Sequence, residues 1–257
     1  MEYCEFSVPP LLASHFLCLW TQTAGGKVGE YTHRVLPDAC IDIVFMNDDP
    51  PVVVGPRTES FMVRLPAGTS IIGARLYPGR APSLLGLPAA EILNRSIPLL
   101  AVSGGLRKTR FDRVFEESNA AARLSALTEA LVASLKAAAP LDEAVAASVR
   151  WVGCHPVARI EQLSRSIGIS HRQLQRRFLR AVGYGPKMFQ SVLRFQRLLK
   201  IAKETGVQRT LANLAADAGY TDQAHMTREF RRFGGVQPTA LLRSAKCTLQ
   251  MSDLFKT

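Results

Sequence analysis

Leu174-Gln175-Arg176-Arg177-Phe178 is followed by Gly183-Tyr184-Gly185-Pro186, and further along Met226-Thr227-Arg228-Glu229-Phe230 is followed by Gly235-Val236-Gln237-Pro238. Leu174, Arg176, Phe178, Gly183 and Pro186 map onto Met226, Arg228, Phe230, Gly235 and Pro238 at one constant offset of 52 residues. Upstream the offset is 51, carrying Leu163, Gly168 and Ser170 onto Leu214, Gly219 and Thr221, so one residue is gained in between. A match of this length and order marks a duplicated supersecondary unit.

Each copy predicts a helix-turn-helix. In the first, Ile160–Ile167 is a short helix with Ile160, Leu163 and Ile167 on its apolar face, while Ser164 and Arg165 fall off that face toward solvent. Gly168 suits a tight turn that needs positive φ. Ser170 suits the N-cap of the next helix. Leu174 and Phe178, four apart, point into a core and leave His171, Arg172, Gln175 and Arg176 on or near the outer face. In the second copy Leu211–Asp217 is the first helix, Gly219 the turn and Thr221 the cap. Met226 and Phe230 point inward, leaving Gln223, Ala224 and Arg228 outside. Arginine pairs with the acceptors of guanine and glutamine with adenine in the major groove. Residues at the start of a recognition helix reach base edges. Between the copies, Pro186–Glu204 reads as one long helix. Phe189, Leu193, Leu199 and Ala202 form its apolar stripe, and Arg194, Arg197 and Lys200 lie on other faces.

The rest of the chain differs in kind. Lys and Arg balance Asp and Glu over residues 1–140, and residues 141–257 carry the whole formal charge of +11. A neutral module is thus joined to a basic one, and a basic surface suits nucleic acid. Within 257 residues, 47% hydrophobic and 21% charged, there is room for two folded domains. The first hundred residues read as short strands broken by Pro and Gly: Cys40–Phe45, Val52–Val54, Phe61–Leu65 and Ile71–Tyr77, with a turn and short helix over Gly79–Leu87. Ala120–Ala139 is a helix whose Leu124, Leu127, Leu131 and Leu135 share a face. That face either packs on the strands or forms a dimer seam. From Leu141 onward only helices are expected. No apolar run reaches the ~20 residues of a membrane span. The start, Met1–Pro10, has no basic residue and so no signal-peptide n-region. Cys4, Cys18, Cys40, Cys154 and Cys247 form no CxxC and suggest small buried thiols in a reducing cytoplasm.

Residues from about 142 to 245 resemble the DNA-binding domain of AraC/XylS-type transcription regulators. The clearest stretch is Ala218-Gly219-Tyr220-Thr221-Asp222-Gln223-Ala224-His225-Met226, continuing through Thr227-Arg228-Glu229-Phe230 to Gln237-Pro238. Two positions depart: the family usually has Phe where Met226 stands, and Ser is common where Ala224 stands. Met keeps the core role, whereas Ala224 gives up a hydroxyl that could contact DNA. The resemblance implies seven helices, two helix-turn-helix motifs and promoter binding. It makes Arg172, Gln175 and Arg176 base-reading candidates in the first unit, places Gln223, Ala224 and His225 in the corresponding part of the second, and casts Arg228 as a phosphate contact. Leu36–Phe45, Val54–Thr58, Gly73–Gly79 and Leu84–Ala89 resemble a cupin-like domain often fused in front of such modules, which in relatives binds effectors or dimerises.

These readings predict an α+β chain: an N-terminal cupin-like β-barrel, then an all-α domain with two helix-turn-helix units joined by a long helix. The expected divisions are residues 1–105 for a sensor or dimerisation domain, 106–140 for a helical linker or dimerisation region, and 141–247 for the DNA-binding domain. Expected DNA contacts are His171, Arg172, Gln175, Arg176, Thr221, Gln223, Ala224, His225 and Arg228. Asp42, Arg75 and Tyr77 are candidates for an effector site in the barrel, because Arg75 and Tyr77 alternate along one strand and share a side. Against that stands a purely structural Arg75–Asp42 link. Expected partners are double-stranded promoter DNA, a small-molecule effector, a second copy of the chain and RNA polymerase, with no membrane. A cupin-type metalloenzyme would need converging ligands, and His15 and His33 are widely separated with no HxH pair. No metal, cofactor or catalytic residue is therefore expected. A nonspecific nucleoid or RNA-binding protein would share the charge but has no use for two capped, duplicated reading units.

Overall fold

The computed structural model describes residues 2–24, 29–47, 49–106, 111–205 and 210–244. Cys247 and residues 245–247 of the expected DNA-binding domain lie outside the described residues. The architecture is α+β. Eight strands come first: β1 Glu2–Phe6, β2 Phe16–Thr23, β3 Glu30–Val35, β4 Ile41–Met46, β5 Val52–Val54, β6 Phe61–Pro66, β7 Ser70–Leu76 and β8 Ser96–Pro98. Among the described residues they do not close into a hydrogen-bonded barrel. Six form an antiparallel sheet in the order β1-β2-β7-β4-β5-β8, and β3 pairs with β6 in a separate two-stranded sheet.

The alternation of strand side chains explains how the two sheets meet. Cys18 faces Arg75, and Arg75 faces Asp42, across three neighbouring strands. This side of the large sheet, with Trp20, Val44 and Ile71, packs on Leu65, Tyr31 and Val63 of the small one. The opposite side presents Leu19, Ile43, Phe45, Ile72, Ala74 and Leu76 to helices α1 (Ala81–Leu85) and α3 (Ala120–Leu135). A short α2, Asp112–Glu116, brings Phe111 and Phe115 against Phe45. Leu127 and Leu131 of α3 are fully buried, with Leu124 and Leu135 on the same core. Within the chain the leucine face packs on the large sheet, Leu127 and Leu131 fully and Leu124 and Leu135 in part.

The helical part comprises α4 Glu143–Cys154, α5 Ile160–Ser166, α6 His171–Val182, α7 Pro186–Thr205, α8 Leu211–Ala218, α9 Gln223–Gly234 and α10 Pro238–Ser244. Helices α5 and α6 make the first helix-turn-helix, α8 and α9 the second, and α7 joins them. At the rise of ~1.5 Å per residue its length is about 30 Å. The turns follow the expected chemistry: Gly168 and Gly219 hold φ of 67° and 87°. Ser170 accepts from the Gln173 amide and Gln173 reaches back to the Ser170 amide, closing a capping box. Two local readings need correction. Ser164 is buried, because its hydroxyl bonds back to the Ile160 carbonyl and the side chain lies along the helix. The second recognition helix is capped by Asp222 and not by Thr221, since the Asp222 carboxylate accepts from the His225 amide at 2.7 Å. The residue gained in the second copy therefore sits between turn glycine and cap. Of the cysteines, Cys18 and Cys40 are buried but Cys4 and Cys154 are exposed.

The two modules share a core. Ala39 and Cys40, from the loop between β3 and β4, belong to the helical cluster with Val145, Phe178, Tyr184 and Phe195, and Leu17, Leu36 and Leu93 pack on it.

Candidate nucleic-acid interface

Each recognition helix is fixed from below by phenylalanines on the linking helix. Phe178 meets Phe189 with ring centroids 5.7 Å apart, and Phe230 meets Phe195 at 5.2 Å. With Leu174, Phe178, Met226 and Phe230 fully buried, the opposite faces must point outward. On α6 this exposes His171, Arg172 and Arg176. Gln175 is half-buried: its amide folds over Gly185, leaving no room there for a Cβ. Leu179, 41% exposed, lies on the same outer face, and nothing in the sequence reading singled it out. A lone apolar residue near the end of a basic helix carries no signal of its own.

On α9, Gln223, Ala224 and Arg228 are exposed, as is Thr221 before the cap. His225 is turned inward. Its ring stands edge-on to Tyr220, its Nδ1 is 3.4 Å from the Thr221 hydroxyl and its Nε2 is 3.6 Å from a Glu229 oxygen. Glu229 accepts from the Ser191 hydroxyl at 2.7 Å and pairs with Arg194 at 3.2 Å, both on α7. The Arg194 guanidinium lies 5.2 Å over the Tyr220 ring. Burial, with Glu229 nearby, pushes the Tyr220 phenol above its ordinary value. This group anchors α9 to the linking helix. Sequence reasoning missed it because the pairing of a charge on one helix with a charge on another leaves no periodic trace.

The first unit has a counterpart. Asp142 caps α4 by accepting from the Ala144 and Val145 amides, and the same carboxylate takes Arg177 of α6 at 2.9 Å. Beside it a cleft of about 810 Å³ opens between Arg176, Arg177 and Arg180, the 139–144 connection, and Gly79, Pro82 and Ser83.

Of the three effector candidates, Arg75 and Asp42 are brought together. Arg75 donates Nε to one Asp42 oxygen and Nη2 to the other, both at 3.0 Å, and Nη2 is also 3.4 Å from Asp38. Trp20 Nε1 donates to Asp42 as well, at 3.1 Å. The two carboxylates hold the buried Arg75 well above its ordinary range against the effect of burial, and burial pushes Asp38 up. Tyr77 lies past the end of β7 and lines a pocket of about 250 Å³ with Glu5, Phe6, Phe16, Leu17 and Cys18.

Two helix-turn-helix units carrying outward basic faces define a DNA-binding transcription regulator. The family comparison agrees: residues 163–244 match a family described as a helix-turn-helix domain. Residues 5–98 match a family described as a domain of unknown function, DUF6597. No curated protein matches the chain. Among solved structures, the chain is similar to a probable AraC family transcriptional regulator from Rhodopseudomonas palustris CGA009, at 25% identity over 40% of this chain and 98% of that one, with a TM-score of 0.37. It is similar to ToxT from Vibrio cholerae O395 at 10% identity, 89% and 99% coverage and a TM-score of 0.46. Unsaturated fatty acid bound ToxT from Vibrio cholerae strain SCE256 matches at 11% identity, 86% and 96% coverage and a TM-score of 0.41. No helix among the described residues is long and apolar enough to cross a membrane.

Proposed function

We propose that the two units read successive major grooves on one side of promoter DNA. In this reading Arg172 and Arg176 lead the base contacts of the first unit, Gln223 and Ala224 those of the second, and Arg228 holds phosphate. The observation that carries it is the exposure of these side chains at the N-terminal halves of two capped, duplicated helices. Gln175 reaches DNA in this reading only after leaving Gly185, and His225 serves to place α9.

Arg176→Ala should lose discrimination at one base position, by about 1–3 kcal/mol for a bidentate contact. Arg228→Ala should weaken specific and random duplexes alike, because phosphate contacts position without specifying. Both are measured as affinities at fixed salt on duplexes that the protein selects from a random pool and on unselected ones. A footprint confined to one major groove overturns the two-unit reading.

The reading includes a small-molecule effector. The neutral N-terminal half and the cleft beside Arg176 and Arg180 support it: an anionic ligand there would touch the helix that reads DNA. Thermal-shift screening of the whole chain, followed by DNA titration with each hit, tests it, and hits that leave DNA affinity unchanged rule it out. Contact with RNA polymerase and self-association complete the proposal.

A further inference from the structure

Both recognition helices end against the N-terminal module. Gly183, the left-handed cap of α6, is so close to that module that an added Cβ would lie 2.7 Å from a Pro56 carbon and 3.2 Å from the Ala89 carbonyl oxygen. Gly235, the left-handed cap of α9, has Ser60 and Arg34 at 2.8 and 2.9 Å from the same imagined atom. Arg34 donates to the Gly234 carbonyl at 3.0 Å and, through the same nitrogen, to the Ser60 hydroxyl at 3.4 Å. A guanidinium at a helix C-terminus satisfies an orphan carbonyl and meets the negative end of the dipole.

The linking helix is held as well. Gln196 of α7 donates its amide to the Pro37 carbonyl. The following residues enter the helical core. Ala39 keeps φ at 69° although it has a Cβ, is 2% exposed, and sits in a turn closed by the Cys40 amide bonding to the Asp38 carboxylate. A backbone held in a sparsely populated region persists only where its surroundings over-determine it.

Helix α7 sets the distance between the two units and seats each recognition helix near its start and middle, through Phe189 under α6 and through Phe195 and Arg194 under α9. A third body that touches the C-terminal ends of α6 and α9 and also α7 adds a second point of support to each, and two separated points fix an angle where one seat leaves more play. We propose that the N-terminal module is a splint that fixes the angular phase between the recognition helices, and that Arg34 is a positioning residue for the second. The module that carries no reading helix then sets the number of base pairs tolerated between the two half-sites. One added base pair moves the second half-site by about 3.4 Å and turns it by about 35°, so a rigid pair of readers distinguishes neighbouring spacings.

This inference rests on the two-groove reading above, and its test separates the two. The full chain selects a duplex from a random pool. Affinities are then measured on that duplex and on versions with one base pair added or removed between the protected segments. The wild type should lose about tenfold or more on the respaced duplexes, as for a misplaced set of base contacts. Arg34→Ala should shrink that penalty to under about threefold while keeping most of the affinity for the original spacing, and Arg34→Lys, which keeps a cation and a donor, should restore it. Gln196→Ala, removing the tie to α7, should move the penalty in the same direction. A penalty unchanged in both alanine variants overturns the splint, as does a uniform loss of affinity with the ratio intact. A wild-type footprint with one protected segment overturns the two-groove reading instead.

Discussion

Arg75 is buried and makes three carboxylate contacts, and removing its closest partner leaves the guanidinium with Asp38 alone. Asp42→Ala should destabilise the protein by about 3 kcal/mol, the lower end for a broken buried pair, because Asp38 remains beside the guanidinium. A denaturant midpoint shift checks this, and a stability within error of wild type would contradict the pairing. His15 behaves differently. It is nearly buried between the Ser14 and Ser83 hydroxyls, and desolvation first, then Arg80, lowers its pKa from the ordinary 6.5. The folded protein holds the ring neutral to lower pH than the unfolded chain, which takes up a proton as pH falls through about 6.5. Its contribution to stability is thus full above that pH and lost below it. Thermal melts of the wild type at pH 7.5 and 5.5 should show a steeper acid loss than those of His15→Gln. At this scale the sequence was readable where side chains repeat. The outward Arg172, Arg176 and Arg228 followed from the burial of Leu174, Phe178, Met226 and Phe230. The inward turn of His225 did not, because it depends on Tyr220 and Glu229 meeting it in space.

Phe178 is the aromatic seat of α6 on α7, and Phe230 is the fully buried ring at the middle of α9, flanked there by Phe233 and the Glu229 group. Phe178→Ala or Phe230→Ala should cost about 3–5 kcal/mol through the cavity left behind. DNA binding should fail with the loss of that unit's structure. Denaturation followed by circular dichroism reads the cost, and unchanged midpoints would contradict the packing. Helices were legible because a 3.6-residue period, a cap and a turn glycine agree with one another. Their ends were less so: Thr221 and Asp222 are both good caps, and only the observed amide contact chooses between them. Strands β4 to β7 were marked by β-branched runs between Pro and Gly. Strand β1, an edge with alternating exposure and two glutamates, and β3, one strand of the small sheet, lack such runs and went unread. Sheet closure was overestimated for a related reason: strand content says nothing about which edges pair.

For the molecule as a whole, the split of charge announced two modules and assigned DNA to the second. It did not announce that the neutral module grips the basic one. Arg34 and Gly234 are 200 residues apart in the chain, and no local pattern connects them. The placement of Ala39 and Cys40 inside the helical core has a consequence for how the protein is made. Synthesis runs from the N-terminus, and domains tend to settle in that order. The loop that later lies among Val145, Phe178 and Tyr184 leaves the ribosome well before those residues exist. On that order the helices would condense around a loop already made, the second half of the chain taking shape on a mould supplied by the first.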